Sequence, residues 1–380
     1  MTRAFFAGAF ALVAFEVASV YFIMPMPGSQ RMRSLELAYL LFHWRWPVRI
    51  ALTMLIVAGV PAVWRGGRGR RVIAGLTLAA ALAVAAVFKI RLSADRIFLP
   101  PRTLVMAPAA ANDVALDRLV VGIEIRGEAR AYPLQFIGYH HQVRDVVQGM
   151  PVLVSYCTVC RTGRVFEPVV DGEVETFRLV GMDHFNAMLE DATTGSWWRQ
   201  ANGEAVVGPR TGLVMPEIPS RQVTLAQWLA LYPASLIMQA DPAFAAEYAR
   251  DYAFERGTSR ARLTGTDPRS WEDKSWVVGL RIGEAERAYD WNELLAEGAI
   301  NDTLGGRPVV LVVAADSASF FAFERPDEAT RFTVSADSLR AGERAFAFNG
   351  RGPGGELRPI TASQEFWHSW RTFHPRTTRH

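Results

Sequence analysis

The sequence contains two cysteines, Cys157 and Cys160, at the end of the apolar run Val152 to Tyr156. A β-rich run of this length predicts a buried strand, after which a turn would present both sulfur atoms to a pocket. A Cys-x-x-Cys pair can act as a redox dithiol, supply half of a metal site or form a small structural disulfide. The turn signal Asp171-Gly172 further along predicts a β-hairpin, so β-structure rather than a helix is expected around the pair.

Redox chemistry would require a lowered pKa for one thiol of the pair. Arg161, Arg164 or a protonated His140 could stabilise a thiolate. Since the N-terminal thiol of such pairs is normally the more exposed, we expect Cys157 to be the nucleophile and Cys160 the resolving thiol. On this hypothesis the two cysteines are the catalytic residues.

Metal binding would use the same sulfur atoms together with histidines. Two thiolates and two imidazoles suit a tetrahedral Zn²⁺ site or a Cu(I) site, because both ions accept sulfur with nitrogen. This hypothesis takes Cys157, Cys160, His140 and His184 as ligands, with Zn or Cu as the candidate cofactor. Only one of His140 and His141 is expected to face such a site, because neighbouring residues on a strand face opposite sides. The spacing matches no standard zinc signature, so the redox and metal hypotheses both stay open.

Hydrolytic chemistry has little support in the sequence. It contains neither a Gly-x-Ser-x-Gly elbow nor a His-Glu-x-x-His helix. Whether the protein is an enzyme is therefore left open.

Charge is divided unevenly along the chain. Residues 1 to 102 carry 13 basic and three acidic side chains, whereas residues 103 to 380 carry 28 basic and 35 acidic ones. The acidic excess of the larger part argues against nucleic acid as a partner. The basic side chains of the first part lie between apolar segments, where they are typical of membrane topology signals.

Three apolar segments are long enough to cross a bilayer: Phe5 to Met24, Val48 to Trp64 and Val72 to Phe88. They predict an integral protein of the inner (plasma) membrane, with the lipid bilayer as a partner. The connection from Arg65 to Arg71 concentrates four arginines and favours a cytoplasmic loop, which would place the chain after Lys89 on the extracytoplasmic side. Protein partners and oligomeric state are not indicated.

One acidic side chain, Glu16, interrupts the first apolar segment. An ionisable group at that depth is costly, so it either faces other helices or water, or reaches the membrane interface by snorkelling.

The part of the chain after Leu119 is rich in predicted strands and matches itself at a shift of 157 residues. Val120 to Glu167 agree with Val277 to Glu324 at 13 of 48 positions, where unrelated segments would share about three. This match predicts two tandem copies of one β-rich unit.

The two copies differ at the candidate site. The second copy has Ala314 and Ser317 at the positions of the two cysteines, and Glu297 at the position of His140. Features that both copies share are most simply explained by the fold. The cysteines and His140 occur in the first copy alone, so the chemistry is expected there.

We therefore predict an α+β fold dominated by β-structure, in which three N-terminal transmembrane helices precede a tandem-duplicated β-rich domain. The expected segments are a membrane region at 1–96, a linker at 97–118, a first repeat with the Cys-x-x-Cys pair at 119–240, a connecting helix and loop at 241–275, and a second, degenerate repeat at 276–380. The connecting helix is expected over Asp241 to Glu255. A capping box of Thr224 with Gln227 predicts the start of another helix.

Several short motifs occur together in the first repeat. They are Gly-Glu-Ala-Arg-Ala-Tyr-Pro at 127–133, the region of His140, Tyr-Cys-x-x-Cys at 156–160, Asp-x-x-Thr-Gly-Ser-x-Trp at 191–198 and Gly-Glu-Ala-Val-Val-Gly-Pro at 203–209. With these motifs the chain, from Pro100 to its C-terminus, resembles the bacterial domain-of-unknown-function family 3179. The resemblance implies a membrane-anchored, mostly extracytoplasmic domain of unsettled activity.

Two classes of function follow from these observations. In the first, the Cys-x-x-Cys site performs thiol–disulfide chemistry or binds a soft metal. In the second, the protein is a non-catalytic binding or scaffold module, and the two cysteines form a structural local disulfide.

Overall fold

A computed structural model describes residues 1–32, 34–335, 338–353 and 355–380. Its helices are α1 (Thr2–Tyr21), α2 (Leu35–His43), α3 (Arg45–Trp64), α4 (Arg68–Ala86), α5 (Ala94–Ile97), α6 (Leu134–His140), α7 (Leu225–Leu231), α8 (Trp291–Glu297) and α9 (Trp367–Phe373). The strands up to the middle of the chain are β1 (Met106–Pro108), β2 (Leu119–Ile125), β3 (Glu128–Pro133), β4 (Gln142–Val147), β5 (Met150–Cys157), β6 (Thr162–Phe166), β7 (Val169–Val170), β8 (Glu173–Val174), β9 (Phe177–Asp183), β10 (Asn186–Asp191), β11 (Trp197–Arg199), β12 (Ala205–Val207), β13 (Arg221–Thr224) and β14 (Leu236–Met238). The later strands are β15 (Trp276–Ile282), β16 (Ala285–Asp290), β17 (Ala299–Leu304), β18 (Arg307–Val313), β19 (Phe320–Glu324), β20 (Thr333–Ser335), β21 (Ser338–Ala341), β22 (Arg344–Ala347), β23 (Arg351–Gly352), β24 (Gly355–Glu356), β25 (Ala362–Phe366) and β26 (Thr378–Arg379).

The chain forms two compact units, each assembled from separate stretches of sequence. The first, called here the helical unit, comprises residues 1–99, 177–199 and 205–213. The second, called here the strand unit, comprises residues 100–176, 200–204 and 214–380.

The helical unit contains three helices that are long and apolar enough to cross a membrane. They cover Thr2–Tyr21, Arg45–Trp64 and Arg68–Arg91, the last of which extends α4 by a π-helical turn. These bounds confirm the three apolar segments predicted from the sequence. The ionisable side chain in α1 faces another helix, because both Glu16 carboxylate oxygens accept from Arg49 of α3, at 2.6 and 2.7 Å.

A four-stranded sheet of order β12-β11-β10-β9 completes the helical unit. Its apolar face, which includes Val180, Met188 and Trp197, packs against Ile23 and Ala38 between α1 and α3. The segment after α4 reaches the same sheet through an ion pair of Asp95 with Arg178, at 2.9 Å. The end of α1, the start of α3 and the end of α4 therefore lie on the side of this sheet, and the Arg65 connection lies at the opposite helix ends.

Two groups of elements in the strand unit follow the same order along the chain, each with a larger sheet, a helix and a three-stranded sheet. The first group has the sheet β1-β14-β3-β2-β13, helix α6 and the sheet β4-β5-β6. The second has the sheet β25-β15-β16-β26, helix α8 and the sheet β17-β18-β19. Strand β2 begins at Leu119 and β15 at Trp276, and β14 pairs in parallel with β3 as β26 does with β16.

A tryptophan covers a strand glycine in each group. Trp228 of α7 lies over Gly122, and Trp370 of α9 lies over Gly279, where an added Cβ atom would fall 2.4 and 2.1 Å from the indole carbons. The N-cap of α7 is as predicted, because the Thr224 hydroxyl accepts from the Gln227 amide. The Asp171-Gly172 turn joins β7 and β8 with both residues at positive φ, as expected for the predicted hairpin.

The segment Asp241 to Glu255 differs from the sequence-based expectation of a helix. It contains a single 3₁₀ turn at Pro242–Phe244, followed by irregular turns. The backbone carbonyls of residues 249, 250 and 251 accept hydrogen bonds from the Arg118 guanidinium, so they do not serve a helix. Periodicity of apolar residues could not reveal this distant donor.

Candidate functional site

The two cysteines lie together on one turn of the strand unit. Cys157 ends β5, Cys160 precedes β6, and the Cys160 thiol donates to the Cys157 carbonyl oxygen at 3.6 Å. Arg161 reverses the chain with φ of 57°. Both sulfur-bearing residues are fully buried, and within the described stretch 152–162 Thr158 alone keeps partial exposure. The sequence-based pairing of the thiols is present, but both cysteine side chains are buried rather than exposed to the pocket that the sequence predicted.

Burial dominates the electrostatics of Cys160. Loss of solvent raises the pKa of its thiol well above the usual value, and hydrogen bonding and charge from Cys157 raise it further. The nearby Thr162 hydroxyl, which donates to the Cys160 backbone carbonyl at 3.4 Å, acts in the opposite direction on this pKa. Cys160 is therefore a protonated thiol at neutral pH, which suits a resolving thiol rather than a nucleophile.

Two basic side chains from distant parts of the sequence hold the turn at Val159. The Lys274 ammonium donates to the Val159 carbonyl at 2.5 Å and to the Leu263 carbonyl at 2.6 Å. Burial lowers the pKa of Lys274 to about 8, although the charges of Cys160 and Cys157 act to raise it. His368 of α9 places Nε2 3.4 Å from the same Val159 carbonyl, and burial with the Lys274 charge lowers its pKa to about 3.

A buried polar network extends from the turn to β25 and α9. The Glu365 carboxylate accepts from Arg164 at 2.6 Å and from Ser369 at 2.7 Å. Ser369 in turn lies 3.2 Å from the Thr162 hydroxyl, beside Cys160. Because Glu365 and Arg164 are both buried, their opposite charges compensate each other in a place that excludes water.

The predicted thiolate partner Arg161 has other partners. Its guanidinium donates to Gln364 and to the carbonyls of Phe254 and Glu255, and stacks 3.6 Å over the ring of Trp276. These contacts fix the turn against the neighbouring loops.

The predicted histidine ligands lie in other surroundings. His140 places Nε2 2.8 Å from the Tyr248 hydroxyl and packs against the ring of Phe244. His184 belongs to the helical unit, where Nδ1 is 2.6 Å from Asp183. In residues 1–32, 34–335, 338–353 and 355–380, no group of three or more His, Cys, Asp or Glu side chains is placed to hold a metal ion.

A cavity of about 560 Å³ lies beside this network in the strand unit. Arg164 and Ser363, which both contact Glu365, form part of its wall, and Arg281, Trp370 and His374 form another part. The Glu365 carboxylate is thus separated from the cavity by single side chains.

A protein-family model described as "Protein of unknown function (DUF3179)" matches residues 102–377. The chain belongs to this family. The DUF3179 segment contains both cysteines and the residues that surround them, whereas the three apolar helices precede it. Neither a comparison with curated proteins nor one with solved structures gives a match.

Three neighbours of the thiol pair in the DUF3179 segment were not identified from the sequence. Lys274, Glu365 and His368 follow Cys160 by more than a hundred residues and carry no local motif. A comparison of the two similar halves gives one signal. Glu365 lies five residues before Trp370, and the corresponding residue, five before Trp228, is Val223. A carboxylate at a position that is apolar in the other half points to a partner in the core.

Proposed function

We propose that Cys157 and Cys160 form a thiol–disulfide couple that cycles between a dithiol and a local disulfide. The observation that carries the proposal is their placement on one tight turn, with the Cys160 thiol hydrogen-bonded to the Cys157 carbonyl at 3.6 Å. Such proximity allows a disulfide to form with little backbone movement.

The charges around the turn support different roles for the two thiols. Lys274 interacts favourably with the charge of either sulfur, so it would stabilise a thiolate on Cys157. Cys160, whose pKa burial raises, stays protonated until a partner has reacted with Cys157. A partner would approach at Thr158, the partly exposed residue of the turn.

Complete burial of both cysteines favours a second candidate. In this alternative the protein is a non-catalytic binding or scaffold module, and the pair forms an inert local disulfide that staples β5 to β6. A sealed disulfide resists exchange because no external thiolate reaches its sulfur atoms.

The reduction potential of the pair distinguishes the two candidates. Purified full-length protein is equilibrated in glutathione buffers of graded redox poise, and its free thiols are counted by mass-shift alkylation. Cys157→Ser and Cys160→Ser serve as controls. A potential between about −270 and −120 mV supports the redox couple, and one below about −300 mV supports the structural disulfide. A pair that stays reduced under every poise would contradict both candidates.

The soft-metal hypothesis stays a prediction, and the geometry of the described residues adds no support to it. Its ligands would be Cys157, Cys160, His140 and His184. Metal analysis of the same preparation tests it: one equivalent of Zn or Cu in the wild type, lost when both cysteines are changed to alanine, is the result that it requires.

We further propose that the strand unit arose by tandem duplication. The shared order of elements, the two Trp–Gly contacts and a repeated cluster of three side chains support this origin. In the first half Arg130 and Tyr132 both bind Asp145, and in the second half Arg287, Tyr289 and Asp302 make the same contacts. A superposition of residues 119–167 on residues 276–324 that shows unrelated backbones would contradict it.

For the membrane we propose an extracytoplasmic strand unit in a protein of the inner membrane. The four arginines of the 65–71 connection, at the helix ends away from β9–β12, support this orientation through the positive-inside rule. Reporter fusions inserted at Gly67 and at the C-terminus test it, and a cytoplasmic signal from the C-terminal fusion would reverse it.

A further inference from the structure

The 560 Å³ cavity of the strand unit is lined by residues of both similar halves. One side of it is the face of β15 and β25 that carries Gly279, Arg281 and Ser363. Arg164 and the loops of the first half at 201–204 and 214–217 form the rest of the wall. A cavity of this size accepts a small organic molecule.

A second cavity, of about 220 Å³, is lined by the matching residues of the first half. The residues that take the places of Gly279, Trp370 and Arg281 are Gly122, Trp228 and Glu124. The fold therefore produces a cavity beside each Trp–Gly contact. The larger cavity differs from the smaller one in its volume and in the charges of its wall.

Arg281 has no structural role that matches the role of Glu124. The Glu124 carboxylate accepts from the Gly127 amide at 2.5 Å, in the turn between β2 and β3. Within the described part of the chain, Arg281 forms no ion pair and no side-chain hydrogen bond, and its charge acts on the largely exposed Glu284. A guanidinium in this situation is available to a carboxylate, which it binds through two parallel hydrogen bonds.

The opposite charge lies toward the other end of the cavity. Glu217 is exposed and lies 3.3 Å from Arg164, whose charge is already compensated by Glu365 at 2.6 Å. Glu365 pairs with Val277 of β15, and Arg281 follows Val277 by four residues, which is about 13 Å along a strand. The cavity therefore has an uncompensated positive charge at one end and a carboxylate in excess at the other.

We propose that this cavity binds a small zwitterion, a molecule with a carboxylate at one end and an ammonium group at the other. The carboxylate binds Arg281, and the ammonium group binds Glu217. The chain between them packs on apolar side chains of the wall, which include Met215 and Trp370. A simple anion would leave Glu217 without a counter-charge, and a simple cation would leave Arg281 without one. The site does not involve the cysteines, so the proposal is independent of the thiol–disulfide couple.

The probe for this site is 6-aminohexanoate, in which a methylene chain separates the carboxylate from the ammonium group. Isothermal titration calorimetry measures its binding to the full-length protein in a nonionic detergent, which carries no competing charge. Hexanoate and hexylamine, each with one of the two charges, are titrated in the same way. We expect 6-aminohexanoate to bind about tenfold more tightly than either, because a hydrogen bond to a charged group contributes on that order.

Variants at the two ends of the cavity assign the two charges. Arg281→Gln should weaken binding of 6-aminohexanoate by about tenfold and leave binding of hexylamine unchanged. Glu217→Gln should weaken binding of 6-aminohexanoate similarly and leave binding of hexanoate unchanged. Arg307→Gln is the matched control, because Arg307 is an exposed arginine near Arg281 that does not line the cavity, and it should bind the probe as the wild type does. Thermal unfolding verifies that each variant is folded.

Three results would overturn the proposal. If the wild-type protein does not bind 6-aminohexanoate, the cavity is not a site for such a zwitterion. If hexanoate or hexylamine binds as tightly as 6-aminohexanoate, the site recognises a single charge. If Arg307→Gln weakens binding as much as Arg281→Gln does, the general charge of the surface attracts the probe, and the cavity does not.

Discussion

Acidification should destabilise the protein through His368, the α9 histidine that contacts the cysteine turn. Its pKa is lowered to about 3 by burial and by the Lys274 charge, whereas an unperturbed histidine titrates near 6.5. Below pH 6.5 the unfolded chain therefore binds a proton that the folded protein does not, and the free energy of unfolding falls until the pH reaches about 3. At pH 5, which lies about 1.5 units below the pKa of the unfolded histidine, the free energy of unfolding should have fallen by about 2 kcal/mol.

Replacement of this side chain isolates its contribution. Urea unfolding of the full-length protein in detergent, followed by tryptophan fluorescence, gives the free energy of unfolding of wild type and His368→Gln at pH 7.5 and 5. The variant should lose about 2 kcal/mol less than the wild type over this interval. His141→Gln is the matched comparison, because burial lowers the pKa of His141 to about 4 and predicts a similar difference.

The reasoning would be refuted if the free energy of unfolding fell equally in wild type and His368→Gln between pH 7.5 and 5. Carboxylates that titrate in the same range are common to both proteins, so they cancel in the comparison. Equal losses would mean that His368 is protonated in the folded state, and therefore that it does not act as the neutral donor to the Val159 carbonyl at 3.4 Å.

Three further predictions concern packing, thiol reactivity and the membrane helices. Gly279→Ala should lower the free energy of unfolding by about 1–3 kcal/mol, because its Cβ atom would fall 2.1 Å from an indole carbon. Gly75→Ala, whose Cβ atom would meet open space, should not lower it. Urea unfolding checks both variants. Lys274→Met should slow alkylation of the buried cysteine pair by about tenfold at pH 7. The difference in rate between wild type and variant should shrink above pH 8, where Lys274 loses its own proton. Timed alkylation at graded pH measures both effects. Glu16→Ala should destabilise the protein by about 3–5 kcal/mol because it leaves the Arg49 charge unpaired, and the double variant with Arg49→Ala should be less affected; thermal unfolding in detergent compares them.

Features with a local physical cause were predictable from the sequence. The apolar run Val152 to Tyr156 became β5, the turn residues Asp171-Gly172 adopt positive φ as their chemistry favours, and Thr224 caps α7. The three membrane-length helices follow from composition over about 20 residues, a signal that tertiary contacts rarely override.

Features that depend on distant partners were not predictable. The carbonyls near Arg250 bind Arg118 instead of forming a helix, and helices such as α6 and α8 have seven residues, too few for a periodic pattern. For the candidate site, the pairing of Cys157 with Cys160 follows from their spacing, but Lys274 reaches them through the tertiary fold alone. Spacing in sequence reveals a pair, and only packing reveals what surrounds it.

The discontinuous make-up of the helical unit affects how the protein is made and how it can be expressed. Strands β9 to β12 lie within the chain that otherwise builds the strand unit, so the ribosome must pass Leu213 before the surface around Ile23 can be covered. A truncated chain that starts at Pro100 would carry Trp197 and its apolar neighbours without their helical cover, and is expected to aggregate when produced without the preceding helices.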